Sequence, residues 1–175
     1  MKSLLACFCA LALVVAMPAL VHAAVAPQAN TVPFVASNPT APHTSWSANP
    51  VTLKGTLTDS LFGTDAFTYD WDPGDGGTHC TGTVTNQFII QCAHTYTGSV
   101  GTVFTAILKI TDTTNSLVSP AVNCPPTITQ GACYYTSLNA PPPNLAVQVN
   151  NAIDNGLWYL HQHMQIGRAS CRERV

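Results

Sequence analysis

Residues 69–77 read YDWDPGDGG, and the fold turns on how this stretch is read. Three carboxylates, Asp70, Asp72 and Asp75, fall within six residues, interleaved with Gly74, Gly76 and Gly77 and placed around Trp71. Three readings compete: an oxygen-donor loop for a metal ion, an acid pair for catalysis, and a tight turn between strands. Glycine lets the chain reverse with positive φ, and aspartate side chains hydrogen-bond to backbone amides two residues on, so both residue types suit a turn. Asp70, Asp72 and Asp75 are candidate calcium ligands, but the loop lacks the donor ladder and bidentate Glu of an EF-hand. Carboxylates two or three apart on one turn are not thereby placed across a substrate, so glycoside chemistry has no support here. The turn is the reading adopted. It indicates no catalytic residue and no cofactor, with calcium as the one candidate.

The flanks agree with a turn between strands. Phe67, Tyr69 and Trp71 alternate and share one face of a strand. Upstream, Val51, Leu53 and Leu57 alternate with polar partners around Gly55; downstream, TVTNQFIIQ (83–91) is a third candidate strand. The clearest alternation is Phe104, Ala106, Leu108 and Ile110 within VFTAILKITD. Short strands at this spacing, broken by Gly, Asp and Asn turns, predict an all-β chain folded as a two-sheet sandwich.

YDWDPGDGG, followed by HTY (94–96) and by an alternating strand that closes on ITD (110–112), resembles the PKD domain, an immunoglobulin-like β-sandwich of extracellular proteins. The family's signature runs roughly W-D-F-G-D-G, H-x-Y, a glycine, an alternating strand and a closing Asp. Trp71, Asp72, Gly74, Asp75, Gly76, His94, Tyr96, Gly101 and Asp112 fall on it, within residues 46–118. Pro73 replaces the usual aromatic, and the interval between Gly101 and Phe104 is one residue longer than the common form, which implies a bulge. The resemblance implies that Trp71 is buried against the opposite sheet and that Tyr96 bonds backbone as in a tyrosine corner. It also implies a non-catalytic role in adhesion, protein or carbohydrate binding, or spacing; some PKD domains bind calcium.

The N-terminus places the chain outside the cell. Lys2 is followed by an uncharged apolar run from Leu4 to Leu20 and by Val21 and Ala23 at the −3 and −1 positions of a cleavage site, the pattern of a cleaved signal peptide over 1–23. That run is marginal for the roughly 20 residues a membrane span needs. The membrane therefore enters only through export, and the expected location is secreted, periplasmic or cell-surface. Residues 24–45, rich in Pro, Ala and Asn, read as a linker or an edge segment.

Cysteine usage fits the same compartment. Of seven cysteines, Cys7 and Cys9 leave with the signal and Cys171 lies in an atypical tail, so four remain: Cys80, Cys92, Cys124 and Cys133. Four allow three connectivities; spacing favours neighbours, Cys80 with Cys92 and Cys124 with Cys133. Zinc would call for a Cys-x-x-Cys pair, which is absent. Residues 24–165 carry two lysines and seven aspartates with no Arg or Glu, which excludes the basic patch nucleic acid requires. Partners are expected among extracellular proteins or polysaccharides.

Past the strands, the segment NCPPTITQGACYYTSLNAPPPN is pinned by its cysteines and ends in a stiff Pro141-Pro142-Pro143 spacer; Tyr134 and Tyr135 are expected to pack on the sandwich edge. The domain is thus set at 46–138, with 139–165 a spacer and the start of a helical region. Asn144 can cap a helix over 145–165, in which Val149, Ile153, Gly156, Leu157, Leu160 and Met164 recur at three- and four-residue steps. NNAIDNGLWYLHQHMQ resembles the first helix of α/α-toroid repeats in terpenoid-cyclase and prenyltransferase-like proteins. This implies an alternative role as the accessory front of an exported enzyme, because one such helix cannot bury its stripe alone. His161 and His163, two apart, do not share a helix face and suit surface or inter-helix packing better than metal ligation. Residues 166–175 hold every arginine and the sole glutamate, and resemble a translated sequencing adapter; they are set aside as foreign, with the natural chain expected to run on beyond Gln165.

Overall fold

The computed structural model describes residues 24–32, 40, 42–141 and 144–172, with side chains described as far as Met164. The expected signal peptide lies outside them. The elements in chain order are β1 (Gln28–Thr31), β2 (His43–Trp46), β3 (Pro50–Thr58), β4 (Phe67–Asp72), β5 (Cys80–Thr83), β6 (Ile90–Thr95), β7 (Val103–Asp112), β8 (Leu117–Val118), β9 (Ala132–Asn139) and α1 (Leu145–Arg172).

Two sheets stack face to face. One has the order β1-β3-β6; the other runs β2-β9-β7-β4-β5, with β8 pairing the far end of β7. All pairings are antiparallel except β2 with β9. The first strands divide between the sheets, β1 on one and β2 on the other, as in immunoglobulin-like sandwiches. The alternating residues explain the layering. Val51, Leu53 and Leu57 from β3, Ile90 and Cys92 from β6, Phe67 and Trp71 from β4, and Ala106, Leu108 and Ile110 from β7 form one buried core. Gly55 sits among them because a Cβ there would strike the Leu108 and Trp71 side chains.

Of the two readings open for residues 24–45, linker or edge segment, the structure shows the second: they supply one edge strand to each sheet, β1 beside β3 and, beginning at His43, β2 beside β9. Two later segments depart from the sequence reading. The candidate strand 83–91 is split into β5 and β6. Between them, the Asn86 side chain accepts from the Phe88 amide at 2.9 Å and its carbonyl accepts from Ile89, making a turn. The cysteine-pinned segment contains β9, a strand inside the larger sheet and not a loop on its edge. Tyr134 and Tyr135 are therefore buried, and Tyr134 meets Trp71 edge-on at 6.4 Å.

Both disulfides join the neighbours favoured by spacing, Cys80–Cys92 and Cys124–Cys133. The first links β5 of one sheet to β6 of the other. The expected bulge is present. The Gly101 amide donates to the Leu138 carbonyl at 2.7 Å while Thr102 accepts from Leu138 at 2.9 Å, setting two residues against one, with Gly101 at φ 87°.

The helix adds a third layer. The Asn144 side chain caps α1 by accepting from the Val147 amide at 3.0 Å. Val147, Asp154 and Trp158 are buried against the sandwich. Trp158 Nε1 donates to Gln91 of β6 at 3.2 Å, and His161 bonds the Phe88 carbonyl at 2.9 Å. His161 thus packs on the sandwich while stacked on Trp158, and His163 bonds Tyr159 within the helix. The apolar stripe read from the sequence faces outward: Val149, Ile153, Leu157, Leu160 and Met164 are all exposed.

Candidate functional site

The signature residues from Trp71 to Tyr96 converge on one end of the sandwich, and Asp112, paired with Phe67, marks the other. β4 delivers Trp71 to the core, fully buried, and its continuation turns over residues 72–77. Asp72 accepts from the Gly74 amide at 2.8 Å, and Asp75 repeats the motif on Gly77 at 2.9 Å. Gly74 and Gly76 take positive φ, 77° and 76°. Gly74 is also pressed onto β7, where a Cβ would run into the Thr105 carbonyl, whereas Gly76 is open on every side.

β6 brings the second part of the signature beneath this turn. His94 Nε2 meets Asp75 Oδ2 at 2.7 Å, so both oxygens of Asp75 are engaged. Burial pushes the Asp75 carboxyl up. The hydrogen bonds from His94 and the Gly77 amide and the imidazole's charge outweigh it, holding the group below its ordinary value. Tyr96 is buried, stacks on Phe104 at 4.5 Å, and donates its hydroxyl to the Pro73 carbonyl at 3.0 Å. Burial and the nearby Asp75 and Asp72 charges keep that phenol protonated, its pKa raised well beyond the ordinary value. The tyrosine thus ties β6 to the turn through the residue that departs from the family pattern, since Pro73 still offers a carbonyl. Asp112 closes the signature as a second corner. Its Oδ1 accepts from the Thr114 and Asn115 amides at 2.9 and 3.0 Å, and its Oδ2 from Asn115 Nδ2 at 2.8 Å.

Asp70 stands apart. It projects from β4 toward His79, whose Nδ1 lies 2.8 Å from Asp70 Oδ1 and whose Nε2 lies 3.5 Å from Asp72 Oδ1; Lys109 is 3.8 Å from Asp70 Oδ2. With Ile107 and residues 127–130, these side chains line an open groove of about 250 Å³. His79, Lys109 and the 127–130 loop carry no sequence signal of their own, because β4–β5 pairing, β4–β7 pairing and the fold of the Cys124–Cys133 loop bring them together. The three candidate calcium ligands are divided between this groove and the His94 contact. Among the described residues, no group of three or more His, Cys, Asp or Glu is placed to hold a metal ion.

No protein-family model and no curated protein matches the chain. Among solved structures it is similar to the PKD domain of an M14-like peptidase from Thermoplasmatales archaeon SCGC AB-540-F20. The identity is 14%, covering 66% of this chain and 94% of that one, with a TM-score of 0.37.

Proposed function

We propose that this chain is an exported, non-catalytic PKD-like module for extracellular adhesion, protein or carbohydrate binding, or spacing, within a larger protein. One observation carries the reading: the signature carboxylates are spent on architecture. Asp72 holds Gly74, Asp75 holds Gly77 and His94, and Asp112 holds the 113–115 turn. The two disulfides suit an oxidising compartment. The groove between His79, Lys109 and residues 127–130 is the surface we assign to a polar extracellular ligand, since it combines a cation, carboxylates and hydroxyls in a concave, solvated setting. The purified chain and its His79→Ala variant are to be compared for retention on extracellular polysaccharides and surface proteins. Retention lost in the variant supports binding; no retention of either form leaves spacing as the role.

The outward stripe on α1 favours a second reading, in which the sandwich is the accessory front of an exported enzyme with an α/α-toroid. The uninterrupted reading frame decides this. Further AI..GL.YL-like repeats would support it, and a stop codon soon after Gln165 would end it. Calcium at millimolar concentration is expected to leave the melting curve in place, because Asp72 and Asp75 already spend oxygens on backbone amides. A rise in melting temperature would reinstate the metal reading.

A further inference from the structure

A polar cluster outside the signature joins the sandwich to the helix. Lys54, on β3, falls on the alternate register from the core residues Val51, Leu53, Gly55 and Leu57, yet only 1% of it is exposed. The layer that meets it is α1: its Nζ hydrogen-bonds to Asp154 Oδ2 and, at 3.1 Å, to Asn155 Oδ1. Asp154 is itself buried, and its other oxygen has no hydrogen-bond partner. His43 is 3.8 Å from Asp154, and burial draws its imidazole below the ordinary value, with Asp154 opposing and Lys54 assisting. A cavity of about 80 Å³ opens beside the three groups, lined also by Asn49 and Asn151.

A buried amine and carboxylate in hydrogen-bond reach of a carboxamide at the rim of the cluster are the reactants and the proton shuttle for amide exchange. We propose that Lys54 and Asn155 form an intramolecular isopeptide bond, with Asp154 moving the protons. Nζ hands one proton to Asp154 and attacks Cγ of Asn155, forming the N–C bond and pushing the carbonyl electrons onto Oδ1. Asp154 returns the proton to Nδ2, the carbonyl re-forms, and the Cγ–Nδ2 bond breaks to release ammonia. Asp154 takes the second Nζ proton, which departs with ammonia as ammonium. Nothing is oxidised or reduced, and no co-reactant is consumed. The step gains from proximity, since both reactants are fixed by strand and helix before it begins, and from burial, since water is kept from the amine. The product would weld α1 to β3 where the structure otherwise relies on a buried ion pair, whose Coulombic gain is offset by desolvation.

The test is the mass of the full, oxidised chain, followed by chymotryptic mapping after reduction. The bond requires a mass lower by one ammonia than the sequence with two disulfides, and one branched fragment holding both Lys54 and Asn155. Lys54→Arg keeps a cation for Asp154 without a nucleophilic amine and is expected to restore the missing mass. Near-ultraviolet circular dichroism of that variant checks that it folds. An unreduced mass overturns the proposal. So does loss of ammonia with separable fragments, which would mark an imide at Asn155–Gly156, or loss of water, which would place the bond on Asp154.

Discussion

Gly74 and Gly76 share a positive φ and differ in everything around them. Gly76→Ala is expected to cost only the left-handed backbone penalty, about 1 kcal/mol. Gly74→Ala adds a collision with the Thr105 backbone, and overpacking brings roughly 1–3 kcal/mol more. Urea midpoints of the two variants check this, and equal losses would show that the turn does not rest on β7. Asp75 makes a pH-dependent contribution whose sign follows from its lowered carboxyl. The stability it supplies is fully present above the unfolded value of 3.8 and is lost as pH falls through the lower folded value. Asp75→Asn is therefore expected to be less stable than the parent at neutral pH, with the gap closing below about pH 4; denaturant midpoints across acid pH measure it. These residues were legible in the sequence because turn chemistry is local: Asp72 and Asp75 bond amides two positions away. The Asp70–His79–Lys109 groove was not, since it depends on pairing between separate strands.

Strands β3, β4 and β7 could be read directly, because each buries one face and alternates accordingly. β9 could not. Its residues from Ala132 to Thr136 are buried without alternation: β7 pairs along the whole run, Cys133 is tied to Cys124, and the Thr31 hydroxyl donates to the Cys133 carbonyl. The misread 83–91 segment fails for the opposite reason: its apolar residues suggested a strand, but Asn86 offers the backbone a turn that outcompetes the ladder. The inter-sheet disulfide compensates for this break by fixing β5 to β6. Replacing Cys80 and Cys92 by serine is expected to cost about 3 kcal/mol through the freedom regained by the unfolded chain. Guanidinium unfolding of the double variant tests it, and an unchanged midpoint would mean that the two strands are already held by packing alone.

At the scale of the molecule, α1 turns its most apolar side away from the sandwich, the stripe that the sequence reading held one helix could not bury alone. Periodicity marked the face with the most apolar residues, yet the helix docks through Val147, Asp154, Trp158 and His161, where one aromatic and polar contacts suffice. Hydrophobic patterning finds the face that carries the most apolar side chains, and it is blind to a mixed contact of this kind. The opposite face leaves a run of large apolar side chains in water, unusual for a surface without a partner. The two faces are separable by mutation. Ile153→Asn with Leu157→Gln is expected to change stability by no more than about 0.5 kcal/mol, because neither side chain is packed. Trp158→Ala removes the aromatic wedge and its bond to Gln91, and is expected to loosen α1 around its attachment at Lys54 while the sandwich stays folded. Hydrogen exchange reads both outcomes: amide protection in α1 should fall in the tryptophan variant alone, with β3, β4 and β7 unaffected. Should the double variant lose protection in its place, α1 would have to sit on the sandwich by the face its sequence pattern marks, and the Lys54–Asp154 contact could not form.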